Sequence, residues 1–303
     1  MLNQVWFITG SSRGFGRALV SAALKAGDSV VATARRPDQV AEFINQYADR
    51  VLPVALDVTD VVAVHAALQA AVNRFGRIDV LVNNAGYANV SPIETTTDED
   101  FRTQFETNFW GVYNVSKAAI PIMRSQGGGT VVQFSSMGGR VGGNPGVASY
   151  QAAKFAVDGF SRSLATETAG FGIKVLVVEP SGFATDWAGS SMTVQTVPTE
   201  YENTVGALVR LLRESGVVVA GDPVRAAEIL VRVVKHPNLP SHLLLGAYAA
   251  SAALDYSRHQ IEEAETWADV SRSADFGQPY PVELPGPIDY EQFNGSLRPP
   301  RHA

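Results

Sequence analysis

The chain has 303 residues, 46% of them hydrophobic and 18% charged, with 27 Gly and no Cys, a composition that buries a sizeable core and excludes disulfide scaffolds and Cys-ligated zinc. Lys and Arg number 24 against 30 Asp and Glu, a formal net charge of -6, which repels a polyphosphate backbone and argues against nucleic acid as a partner. No basic leader with a small-residue cleavage site is evident, nor a run of about 18 apolar residues that would span a membrane, so a cytoplasmic protein without membrane contact is expected.

Short β-branched or apolar runs alternate with amphipathic runs of helical length as far as Gly246, the pattern of an α/β parallel sheet covered by helices. Predicted strands cover 5–9, 29–34, 51–56, 79–82, 130–134, 174–178 and 243–245. Several are apolar throughout, as strands buried on both faces are. Predicted helices cover 14–25, 37–47, 60–75, 98–124, 150–169 and 223–235, most opening on a cap or first-turn signal such as Thr59-Asp60, Thr97-Asp98 or Asp222-Pro223. With no internal repeat or linker there, residues 1–250 are expected to form one domain, and 251–303 its helical extension and tail. The extension reads as a charged helix over 249–272, followed by a segment rich in proline (Pro279, Pro281, Pro285, Pro287, Pro299, Pro300).

The first strand runs into Thr9-Gly10-Ser11-Ser12-Arg13-Gly14-Phe15-Gly16 and then a helix. Gly10 permits a sharp strand-to-helix turn, Gly14 lets backbone approach a pyrophosphate, and Gly16 lets the helix pack closely on the sheet. The helix N-terminus offers its unpaired N–H groups to the anion. In this strand–turn–helix context the glycines point to a dinucleotide and a Rossmann-type doubly wound sheet. Gly10-Ser11-Ser12-Arg13-Gly14 also matches the G-x-S-x-G nucleophile elbow. That elbow needs an oxyanion donor from a loop after an earlier strand, and none precedes Ser12. The histidines (His65, His236, His242, His259, His302) form no H-E-x-x-H pair, so metal catalysis has no support.

Taken with Asn83-Asn84-Ala85-Gly86 and Tyr150-Gln151-Ala152-Ala153-Lys154, the TGxxxGxG spacing resembles the short-chain dehydrogenase/reductase family over roughly 5–246, in its single-domain branch, with a look similar to hydroxysteroid-type dehydrogenases. The resemblance implies a parallel sheet of about seven strands. It also implies a nicotinamide cofactor touched by Gly10, Ser12, Arg13, Gly14, Phe15, Gly16, Asn84, Ala85, Gly86, Tyr150 and Lys154. The second strand ends in Arg35-Arg36, not in an acidic residue that would hold ribose hydroxyls. Guanidinium groups there fork onto a 2′-phosphate, and Arg13 resembles a second basic position of NADP-preferring members, so NADP(H) is expected. Asp57-Val58 resembles the pair that holds adenine, although Asp57 also reads as a helix-start residue. Pro180-Ser181-Gly182-Phe183-Ala184-Thr185 resembles the segment that clamps the nicotinamide amide, with Pro180, Gly182 and Thr185 as contacts and the glycine one residue late.

Hydride transfer to a carbonyl needs a proton donor that also serves as a base, and the resemblance assigns that role to Tyr150. A free phenol titrates near 10 and is about a thousandth ionised at pH 7. Lys154 lies one helical turn on, where its cation and the oxidised nicotinamide favour phenolate. Ser136, at the end of the fifth strand, is expected to hold the substrate oxygen. Its spacing to Tyr150 is one residue longer than is commonest in the family, which leaves Ser135 open. Asn108 resembles the helix asparagine that completes the family's tetrad.

The expected activity is therefore interconversion of a ketone or aldehyde with an alcohol, the alternative being a protein that senses NADP(H) without chemistry. Val90, Val141, Pro145, Phe183, Trp187 and Met192 are expected around the substrate and suggest an apolar or aromatic compound. The resemblance also implies a homodimer or homotetramer packed through the helices of Asn108 and Tyr150.

Overall fold

The computed structural model describes residues 3–185, 192–213 and 221–286. The chain divides into two compact units between Gly246 and Ala247. The first contains β1 (Val5–Ile8), α1 (Gly14–Lys25), β2 (Ser29–Ala34), α2 (Glu42–Tyr47), β3 (Val51–Ala55), α3 (Val61–Phe75), β4 (Val80–Asn83), β5 (Ala88–Val90), α4 (Asp98–Phe105), α5 (Gly111–Ser125), β6 (Gly129–Phe134), α6 (Ala148–Thr168), β7 (Ile173–Pro180), β8 (Met192–Val194), α7 (Ala207–Arg213), α8 (Pro223–Val234) and β9 (His242–Leu245). Seven strands form one sheet in the order β3-β2-β1-β4-β6-β7-β9, with every pairing parallel.

Alternation along the strands divides the core between the two faces of the sheet. Trp6 and Ile8 pack with Leu19 and Leu24 of α1 and Leu230 of α8, whereas Phe7, between them, packs with Leu68 of α3, Val115 of α5 and Leu164 of α6 on the other side. The chain winds outward from β1 to β3, then crosses to β4 on the opposite side of β1. The C-terminal ends of β1 and β4 therefore form the switch-point crevice where open α/β sheets bind ligands. The opposite end of the sheet is locked by buried Asp28, which accepts from Trp6 Nε1 at 3.0 Å and pairs with Lys235 Nζ at 2.6 Å.

The strands and helices fall close to their predicted places, with informative differences. The expected helix over 98–124 is interrupted by a π-turn (Glu106–Trp110) between α4 and α5, an extra residue in the spiral of the kind found at functional sites. The expected 37–47 helix is a 3₁₀ turn (Pro37–Val40) followed by the short α2. Asp60, not Asp57, caps α3, accepting from Val62 and Ala63 N–H. Unforeseen were α7 and the small parallel sheet in which β5 pairs with β8.

The second unit holds α9 (Ala247–Thr266) and α10 (Ala268–Arg272) where one helix was expected, the break falling at Trp267. No helix or strand follows as far as Gly286, and Pro287, Pro299 and Pro300 of the expected tail lie outside the described residues. Among the described residues no helix is long and apolar enough to cross a membrane.

Candidate active site

The glycine loop occupies the crevice between β1 and β4, and its shape depends on Asn84 and Thr9. Gly10 and Gly14 both adopt positive φ, 68° and 52°. Asn84 Nδ2 donates to the carbonyls of Thr9 (2.9 Å) and Gly10 (3.1 Å), and Thr9 Oγ1 accepts from the N–H groups of Asn84 (2.9 Å) and Ala85 (3.0 Å). Asn84 thus holds the loop from behind, a role that carry-over from the family pattern did not specify, and Thr9 was missed. A Cβ on Gly16 would lie 2.1 Å from the Gly10 carbonyl oxygen and 2.7 Å from Asn84 Nδ2. Gly16→Ala is accordingly expected to cost about 1–3 kcal/mol in urea unfolding, because the Gly10 backbone and the Asn84 side chain must both shift.

Arg13 stands at the N-cap of α1 and makes no capping bond with its side chain, and the first turn carries no acidic residue. The leading N–H groups and partial positive charge of this helix suit a pyrophosphate. Ser12 and Phe15 flank the loop, half-buried. Arg35 and Arg36 follow β2 and are exposed, as is Arg13. Among the described residues neither Arg35 nor Arg36 joins a salt bridge. Asp57 is exposed and folds one oxygen over Thr59, 3.0 Å from its N–H and 2.7 Å from its hydroxyl, while Val58 is buried and packs against Gly111. Asn83 points away, into a buried network with Ser116 and Gln133.

Tyr150 and Lys154 of α6, Ser136 after β6 and Asn108 of the π-turn come from three places in the chain, and both turns pack against α6. Lys154 Nζ donates to the Phe134 carbonyl at 2.7 Å and lies 5.7 Å from the centre of the half-buried Tyr150 ring. Lys154 is only 4% exposed, and burial depresses its pKa from 10.5 to about 8. The two serines separate clearly. Ser135 donates to the Lys154 carbonyl at 2.9 Å and is buried in the contact of β6 with α6. Ser136 is half-buried and accepts from Gly138 N–H at 3.0 Å, which keeps its own proton available to a substrate oxygen.

The π-turn directs Asn108 inward, where Nδ2 donates to the Tyr87 and Gln104 carbonyls, each at 3.0 Å. Its Oδ1 is buried and has no hydrogen-bond partner among the described residues. A Cβ on Gly86 would meet that oxygen at 2.5 Å and Lys154 Nζ at 3.7 Å. Gly86 therefore lets the amide and the ammonium approach one another, and the amide oxygen remains as an acceptor beside the cation.

The segment after β7 closes the other side. A Cβ on Gly14 would touch Thr185 Cβ at 3.4 Å, so Thr185 stands against the glycine loop. Ser181, in the place of the family's glycine, bonds back to the Leu245 carbonyl through its N–H (3.0 Å) and hydroxyl (3.3 Å), while Pro180 is half-buried and Gly182 exposed. The residues expected around a substrate split up. Val90 and Met192 join an apolar cluster with Val147, Val205, Val209 and the Tyr150 side chain. Phe183 instead packs at a tilt against Phe15, ring centres 4.8 Å apart, and fills the space beside Gly221. Val141 is buried, Pro145 is exposed, and Trp187 lies outside the described residues.

The short chain dehydrogenase family model matches residues 4–195. The chain belongs to this family. It is 48% identical over 271 residues to Oxidoreductase BOA17 of Botryotinia fuckeliana, covering 89% of this chain and 98% of that one. Among solved structures, a short-chain dehydrogenase from Streptomyces avermitilis superposes with a TM-score of 0.84 at 37% identity, covering 90% of this chain and 98% of that chain. A 3-ketoacyl-(acyl-carrier-protein) reductase from Brucella melitensis, solved with NADH, superposes with a TM-score of 0.67 at 25% identity, over 80% and 96%.

Proposed function

We propose that this oxidoreductase interconverts an apolar ketone or aldehyde and its alcohol, with NADP(H) as cofactor and Tyr150 as the acid and base. The nicotinamide, when bound, supplies the hydride in reduction and accepts it in oxidation. Ser136 holds the substrate oxygen and Tyr150 gives it a proton, so that hydride and proton together convert C=O to CH–OH. Lys154 favours the phenolate that remains, and Asn108 Oδ1 lies where a proton path from the ammonium to solvent would pass. The observation that carries this reading is the buried Lys154 cation beside the Tyr150 ring, a costly arrangement that folding alone does not need. Val90, Val205 and Val209 around that ring favour an apolar substrate.

The test is NADPH consumption with a panel of apolar ketones and aldehydes. Turnover supports the enzyme, whereas tight cofactor binding without turnover would favour a sensor. For the cofactor, Arg35→Ala is expected to weaken NADPH by about tenfold or more, since a charge-assisted hydrogen bond contributes about 1.5–3 kcal/mol, and to leave NADH within about twofold. Equal losses would refute the phosphate assignment. The ladder of rings from Phe105 through Phe109 and Trp110 to Tyr113 and Phe160, with Trp110 42% exposed, supports a homodimer or homotetramer through these helices. Sedimentation showing only monomer at micromolar concentration would remove that part.

A further inference from the structure

A second cluster of charges lies behind the catalytic residues. Arg140 follows the turn capped by Ser136, and its Nε reaches both oxygens of Glu179 at 3.0 and 2.9 Å. Glu179 is fully buried on β7, after four buried valine and leucine positions, and immediately precedes Pro180. Asp158, one turn of α6 beyond Lys154, pairs with Arg162 at 2.9 Å and with His242 of β9 at 2.6 Å. Donor atoms of Asp158, Glu179 and His242 lie within 4.8 Å of one another. Each carboxylate already faces its own guanidinium, so the group is a charge-balanced network and not a cage of free ligands.

We propose that the Arg140–Glu179 pair is a positioning device that ties the Ser136 turn to the nicotinamide-holding segment starting at Pro180, fixing the distance between substrate oxygen and cofactor. The proposal rests on the catalytic reading above. An apolar residue at 179 would suit the core; a buried ion pair is costly to form, and costly to break from one side. Burial pushes the Glu179 carboxyl up, Asp158 adds to this, and Arg140 and His242 oppose it. Without Arg140 the carboxyl is left among Asp158, His242 and Arg162 with no direct partner. It is then tolerated when protonated, and draws water and displaces the end of β7 when ionised.

The test is the pH profile of kcat/KM between pH 5 and 9 for wild type, Arg140→Gln, and the double variant Arg140→Gln with Glu179→Gln. Arg140→Gln is expected to fall relative to wild type by about tenfold more at high pH than at low pH, and the double variant, which has no carboxyl to ionise, is expected to regain the wild-type pH dependence at a lower rate, because the pair that ties the two segments is gone. A loss in Arg140→Gln that is the same at every pH, or a double variant no better than the single, would overturn the proposal. If Arg140→Gln does not fold, Glu179→Gln decides. It is expected to fold with a lowered melting temperature and to lose about fivefold or more in kcat, whereas lowered stability with unchanged kcat would mean a purely structural pair. A wild-type protein that binds NADPH without turnover sinks the catalytic reading alone. The same comparison then runs on the NADPH dissociation constant, because the Pro180 segment is the part being positioned.

Discussion

Tyr150→Phe is expected to lower kcat/KM for carbonyl reduction by about 10²–10⁴-fold, the usual worth of a positioned proton donor. Only the phenolic oxygen is removed. The ring that packs with Val147, Val205 and Val209 stays, so the melting temperature is expected to hold within a few degrees and the NADPH dissociation constant within about threefold. Turnover within a factor of about three of wild type would show that the proton comes from elsewhere.

The second large effect belongs to Lys154→Met, in which function and stability are expected to move in opposite directions. Activity falls by about 10²-fold or more, because the ammonium that favours the phenolate is gone. Stability should rise at neutral pH. Lys154 titrates near 8 in the folded protein against an ordinary 10.5, so between those values the unfolded chain binds more protons and the stability of the wild type increases with pH. Below about 8 the folded state carries the whole penalty of the buried charge, an upper bound of about 3 kcal/mol, from which the bond to the Phe134 carbonyl must be subtracted. Urea unfolding of the ligand-free proteins at pH 7 and pH 10 checks this: Lys154→Met is expected to be more stable at pH 7, with the advantage shrinking at pH 10. A variant equally destabilised at both would contradict it.

The sheet was legible because its strands are short, apolar and separated by helices with recognisable caps, so Asp60, Thr97 and Asp222 marked helix starts that the structure reproduces. Tyr150 and Lys154 were legible for a similar local reason, being one turn apart on one helix. The pairing of β5 with β8 was not, since each has only three residues and they lie about a hundred positions apart, leaving no periodicity to read. The π-turn at Asn108 also escaped: a one-residue insertion leaves the amphipathic pattern of 98–124 almost intact, and its sole hint was an asparagine in mid-helix. Sequence spacing left Ser135 and Ser136 open, and only the backbone of α6, which takes up the Ser135 hydroxyl, separates them. Phe183 was expected near the substrate and packs against Phe15; an aromatic residue beside a cofactor segment reads the same in sequence whether it lines the site or packs under it.

The most direct measurement is a crystal structure of the protein with NADPH and a bound ketone. The hydride-bearing ring carbon is expected about 3–3.5 Å from the carbonyl carbon, with the Tyr150 hydroxyl and Ser136 Oγ both within hydrogen-bond reach of the carbonyl oxygen. A nicotinamide ring lying beyond about 8 Å from the Tyr150 oxygen, with the ketone in place, would contradict the account.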